Sequence, residues 1–297
     1  MKSKTALSII MILTAAAGWG VIGVFSRPLS AAGLDAIQIT FIRSIIVAVA
    51  MGIFLLFKDK SLFRIQLKDF WMFLGTGLVS IVFFNVCYFL TIERATLAAA
   101  SILLYTAPCF VMLMSAVFFK EKITVQKLMA LVLAFLGCAL ASGFAGGNVS
   151  VLALLTGIGS GFGYAMYSIF GKVALKKYQT FTVIFYTFVV STAALLPFAH
   201  VTDITSVLSG DFGRITIALG LGIISTFMPF LFYTSGLKYV EAGKASVLAF
   251  AEPMVATIAG IIVFNEAIYV KNAAGILMIF AAIVLLNIPL ASAAKKQ

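Results

Sequence analysis

Of the ten Asp and Glu residues in the chain, nine fall in polar stretches or at the ends of apolar runs. Glu252 is the exception, set inside the apolar run "VLAFAEPMVATIAG". An ionisable group near the centre of a bilayer costs about 3 kcal/mol on insertion scales, so it is expected to face a polar cavity. There a carboxylate binds a substrate ammonium group or carries a proton. The alternative is a protonated acid that donates to a neighbouring helix. Pro253, beside it, has no N–H, which is expected to leave the carbonyl of Ala249 one turn earlier unpaired. Pro108 should do the same for Leu104, next to Tyr105 and Thr106. The other charge inside an apolar run is Arg43, in "ITFIRSIIV". Its long stem can snorkel to the membrane surface. Alternatively it takes a substrate carboxylate while Glu252 takes the amine, an arrangement that suits a zwitterion.

Five aromatics bring a polar tip into apolar runs: Trp19, Tyr88, Tyr105, Tyr164 and Tyr233. Trp19, Tyr105 and Tyr164 lie deep, whereas Tyr88 and Tyr233 lie towards opposite faces, as a pair of gates would. Asn85, one turn before Tyr88, adds a buried amide. The expected substrate-binding set is therefore Glu252, Trp19, Tyr105, Tyr164, Asn85, Tyr88, Tyr233 and Arg43, with helix breaks at Pro108 and Pro253. Glu121 and Glu266 close two apolar runs near Lys120, Lys122 and Lys271, and are expected to be solvated charges or interfacial ion pairs.

The stretch "GWGVIG", residues 18–23, has the letters of the dinucleotide fingerprint G-x-G-x-x-G. That fingerprint needs a strand before it and a helix after it. The surroundings deny it both: 63% of the chain is hydrophobic, 10% is charged and the mean hydropathy is +1.15. Soluble domains carry about 25% charged residues, so this supply cannot cover a water-facing surface. Runs long enough to span the roughly 30 Å of hydrocarbon recur throughout. The glycines are expected to admit another helix or a substrate.

The elements that must position these residues repeat. Shifting the sequence by 145 residues aligns Gly18 with Gly163, Gly75 with Gly220, Gly77 with Gly222 and Ser80 with Ser225. It also aligns Tyr88 with Tyr233, Ser101 with Ser246, Pro108 with Pro253 and Glu121 with Glu266, and places Arg27 on Lys172. The predicted units are 1–145 and 146–297, the second ending in a short basic tail. Each holds five spans, near 5–25, 35–57, 70–91, 95–118 and 124–143, then 150–171, 180–199, 213–235, 243–263 and 272–290. Five is odd, so the second unit enters the membrane from the other side. The predicted fold is an all-α integral membrane protein of ten helices, two inverted-topology repeats around a central cavity.

Charge supports this order. With the N-terminus inside, sixteen Lys and Arg fall on the cytoplasmic side and only Arg27, Arg94, Arg214 and Lys271 outside. That bias predicts cytoplasmic N- and C-termini. Lys2 and Lys4, an apolar run and Ala15-Ala16-Ala17 have the look of a signal peptide, but Gly18 and Trp19 have partners in the second unit and the segment is expected to stay. Asn148-Val149-Ser150 matches a glycosylation sequon in an external loop.

Several classes are excluded. No Walker loop is present, and the single histidine, His200, cannot supply H-E-x-x-H or serve Ser160 of "GIGSGFG" as a base within a span. Cys87, Cys109 and Cys138 lack metal or disulfide spacing. No metal, cofactor or nucleic acid is expected, and the basic residues read as topology signals. The partners expected are the lipid bilayer and a small metabolite. One buried carboxylate permits proton coupling without demanding it.

These residues also carry a resemblance. "AGWGVIGVFSR" resembles the Trp-Gly signature of the drug/metabolite transporter superfamily. "LLYTAPCFVMLMSAVFFKEKITVQKLMALVLAFLGCAL" and "LAFAEPMVATIAGIIVFNEAIYVKNAAGILMIFAAIVLL" are similar to its two EamA-type units. Phe162-Gly163-Tyr164 departs from the Trp-Ala of many members, leaving Trp19 without an identical twin. The resemblance implies a transporter of amino acids, their derivatives or other small metabolites, often outward, by alternating access across the cytoplasmic membrane. A channel-like facilitator and an intramembrane enzyme are the alternatives; the inverted repeat favours a carrier over a fixed pore, and the lack of a histidine within a span weighs against the enzyme.

Overall fold

The computed structural model describes residues 2–142, 150–267 and 269–288. Asn148 and Val149 of the sequon and the basic C-terminal tail lie outside them. Among the described residues, nine helices are long and apolar enough to cross a membrane. In chain order the bundle runs α1 (Lys4–Ala31), α2 (Ala36–Lys58), α3 (Leu67–Arg94), α4 (Leu97–Phe119), α5 (Val125–Ala141), α6 (Val151–Ala174), α7 (Thr180–Phe198), α8 (Phe212–Leu237), α9 (Ala242–Phe264) and α10 (Val270–Asn287). The shorter α5 supplies the tenth member, at 17 residues. That length rises about 25 Å, close to the hydrocarbon thickness.

Side-chain caps set several starts. Asp35 accepts from the Gln38 N–H and completes a capping box before α2. Thr96, Thr124, Ser150 and Asp211 each accept a first-turn N–H before α4, α5, α6 and α8. These bonds satisfy donors that have no carbonyl within their own helix.

The helices interlock across the two units. The first helix of each unit packs against the third and fourth helices of the other: α1 against α8 and α9, α6 against α3 and α4. The second helices, α2 and α7, pack together, and so do the fifth, α5 and α10. Local irregularities repeat as well. Widened π-helical turns occupy Gly75–Phe83 in α3 and Ile223–Phe227 in α8. Lys120 and Asn265, 145 residues apart, both take the left-handed conformation that ends α4 and α9. Trp19 and Tyr164, which the shift superposes, meet at the centre with ring centroids 6.3 Å apart. Tyr105 and Phe250, another such pair, meet at 5.7 Å. Equivalent residues touch only where they flank the axis relating the two copies, so these rings mark it.

Both proline helices are discontinuous. α4 divides into Leu97–Leu104 and Ala107–Phe119, and α9 into Ala242–Leu248 and Ala251–Phe264. This corrects the expectation for Ala249. Its carbonyl is not free, because the Glu252 N–H donates to it at 2.9 Å. The helix restarts instead of bending, and the proline occupies a first turn, where a missing N–H is no loss.

Candidate functional site

A cavity of about 510 Å³ runs from the bundle centre to the end where α1 finishes and α2 begins. Glu252 lines it from the first turn of the second half of α9. The opening turn of a helix presents free N–H groups and a partial positive charge, a setting that favours a carboxylate. Two neighbours hold this position. A Cβ at Gly20 of α1 would lie 2.7 Å from the Glu252 carbonyl oxygen and from Val255 Cβ, so only glycine lets α1 approach α9 here. The Tyr164 hydroxyl on α6 donates to Glu252 Oε2 at 3.0 Å and aims the carboxylate into the cavity.

Arg43 lines the same cavity. Its Nε has no hydrogen-bond partner, and no salt bridge holds its guanidinium among the described residues. It is a cation turned into the cavity that holds the carboxylate of Glu252, with no direct bond between the two.

The aromatic candidates converge as well. Trp19 sits against Phe230 at 5.3 Å and Tyr233 at 5.2 Å, 7% exposed, at the floor of the cavity. Tyr233 shares a hydrogen bond of 2.7 Å with Ser168, and Tyr167 one of 2.6 Å with Thr234. Tyr88, nearer the mouth, shares one of 3.2 Å with Ser101. Tyr105 lines the wall. Asn85 also borders the cavity, but its amide is already engaged: Nδ2 donates to the Ile81 carbonyl at 2.6 Å and Oδ1 accepts from Thr40. All eight expected residues thus border one space, with the Asn85 amide least free to meet a ligand.

The glycines of "GWGVIG" have a helix-packing explanation. Gly18 abuts Pro229 of α8 and Gly20 abuts α9, whereas a Cβ at Gly23 would meet only the Arg27 side chain, at 3.8 Å. Along α6, Gly157 and Gly161 admit the first half of α4, and Gly163 admits Phe84 of α3.

The opposite end of the bundle, where α1 begins, is sealed. Glu121 accepts from the backbone N–H of Ala242 at 2.8 Å and of Gly243 at 3.0 Å, and from Lys172 Nζ at 3.0 Å. Lys172 also donates to the Val240 carbonyl at 2.7 Å. Burial works against the charged form of Glu121, yet those two N–H groups and the ammonium outweigh it and hold the carboxyl below its ordinary value. Beside this knot Lys127 pairs with Glu241, and Asp69 accepts from Lys177 at 2.7 Å and from Tyr178 at 2.8 Å. Of the two alternatives for the edge glutamates, the ion pair holds for both, with cations of the other unit and not with the neighbouring lysines. The Glu121 side chain is largely covered and bonds to Lys172 instead of standing solvated beside Lys120 or Lys122. Glu266 pairs with Arg27 at 2.6 Å, not with Lys271. The sequence hint was the superposition of Arg27 on Lys172, but partners so far apart in the chain meet only through the crossing of α1 and α6.

Comparison with known proteins places this arrangement. The profile of the EamA-like transporter family matches residues 6–143 and again 151–288. An uncharacterized transporter of Archaeoglobus fulgidus is 30% identical over 282 residues, 92% of this chain and 94% of that one. The pseudopaline exporter CntI of Pseudomonas aeruginosa is 27% identical over 201 residues, 66% of each chain. A solved crystal structure shares the fold with a TM-score of 0.78 at 19% identity, over 97% of this chain and 98% of the other. The family and these named relatives are transporters. With ten helices in two inverted five-helix repeats around one cavity, the chain belongs to the EamA-like transporter family of the drug/metabolite transporter superfamily.

Proposed function

We propose that the protein is an alternating-access carrier of amino acids or their close derivatives, working in the direction of export. Glu252 takes the substrate ammonium, and Arg43 takes its carboxylate. The observation that carries this reading is the Arg43 Nε, without a hydrogen-bond partner, on the same cavity as Glu252. A charge facing a cavity without a salt bridge is open to a ligand, and a zwitterion offers each of the two charges its opposite. The aromatic floor of Trp19, Phe230 and Tyr233 offers apolar area for a side chain. The named exporter among the relatives supports the outward direction. The charge bias puts the sealed end, where α1 begins and α10 finishes, in the cytoplasm, so this state faces outward; the units divide near residue 145. Glu252, Arg43, Trp19, Tyr105 and Tyr164 form the proposed contact set, Asn85, Tyr88 and Tyr233 its border, and the breaks at Pro108 and Pro253 the hinges.

Thermal-shift titration of the purified protein against amino acids, with their decarboxylated and deaminated analogues, tests this reading. Intact zwitterions are expected to stabilise the protein and each analogue to do so much less. Equal stabilisation by all three would count against the paired-charge site.

A further inference from the structure

The seal at the closed end has an unfilled counterpart at the open end. The shift of 145 carries Glu121 onto Glu266, Lys172 onto Arg27 and Phe119 onto Phe264. The structure keeps these relations. The N–H of Glu121 bonds to Ser115 at 3.2 Å and that of Glu266 to Gly260 at 3.3 Å, so both carboxylates leave the same kind of loop. Lys172 lies over the Phe119 ring at 5.9 Å, and Arg27 over Phe264 at 4.4 Å. One relation is missing. Glu121 is seated on the N–H groups of Ala242 and Gly243, whose equivalents are Leu97 and Ala98 at the start of α4. Those N–H groups have no carbonyl of their own helix to bond, and Leu97 borders the cavity mouth. Glu266 does not reach them. Its side chain stays 47% exposed, whereas that of Glu121 is 8% exposed.

Resting on the carrier reading, we propose that Glu121 and Glu266 are alternate latches. In the opposite-facing state Glu266 seats on the N–H groups of Leu97 and Ala98 with Arg27 against it, while Glu121 leaves its own seat. Each state has one carboxylate seated, so breaking one seat favours closure at the other. A latch of hydrogen bonds to a charged group is strong enough to bias such an equilibrium by about tenfold.

Spin labels at Glu93, near the end of α3, and Val270, at the start of α10, both at the open end, read the two states as a long and a short distance in liposomes. E121Q is expected to raise the short-distance population about tenfold, and E266Q to lower it by a similar factor. A242P and L97P test the seats with both carboxylates intact. Each removes one seating N–H from a first helical position, where proline is tolerated. A242P should act as E121Q does, and L97P as E266Q does. A wild type that exchanges between two distances, with variants that shift together or not at all, would overturn the latch and leave the carrier standing. A single distance that neither saturating amino acid nor any variant moves would overturn both.

Discussion

At the scale of single residues, the proposed site rests on two charges, Glu252 and Arg43, that a zwitterionic ligand would complete. Arg43→Gln removes the cation but keeps Glu252 and its Tyr164 bond. It should weaken binding of a zwitterionic substrate by roughly 10- to 100-fold, the scale of a hydrogen bond to a charged group. Binding of the decarboxylated amine should change little, and titration calorimetry of both compounds checks the split. Glu121 makes a separate prediction, because its carboxyl is held below the ordinary value. A depressed carboxylate stabilises the fold above the unfolded-state pKa, and that contribution is lost as pH falls through the folded-state value. The wild type should therefore lose thermal stability relative to E121Q on acidification below about pH 4, and the two should run parallel at higher pH. Melting curves across that range decide.

At the scale of helices, close approach at glycine dominates. A side chain at Gly20 meets the α9 backbone at Glu252, whereas one at Gly23 meets only a flexible arginine. Gly20→Ala should destabilise the protein by about 1–3 kcal/mol through overpacking and displace Glu252. Gly23→Ala should be silent, as measured by melting temperature and transport. A dinucleotide fingerprint would have made both glycines essential. The helices themselves were legible in the sequence, because apolar length, loop charge and a gap-free internal repeat are properties of the chain alone. The breaks in α4 and α9 were legible only as prolines. Whether a carbonyl stays free depends on where the helix restarts, and here the Glu252 N–H took the Ala249 carbonyl. The partners of Glu121 and Glu266 were hidden because α1 and α6 cross between units, bringing together residues that no local pattern links.

At the scale of the whole molecule, a symmetric frame carries unsymmetric chemistry. The repeat equivalents of Glu252, Arg43 and Asn85 are Ala107, Phe188 and Phe230. Phe188 and Phe230 lie edge to face at 4.9 Å, with Phe230 at the floor of the cavity, whereas Arg43 and Asn85 line its open part. On the latch proposal, duplication supplies two ways of closing the bundle, and divergence leaves one charged site between them. Counterflow tests that account most directly. Liposomes holding wild-type protein are loaded with an amino acid that stabilises it, then given a trace of the labelled compound outside. The account predicts a transient overshoot of label in the wild type and none in Glu252→Gln inserted at equal density; undiminished counterflow in that variant would contradict it.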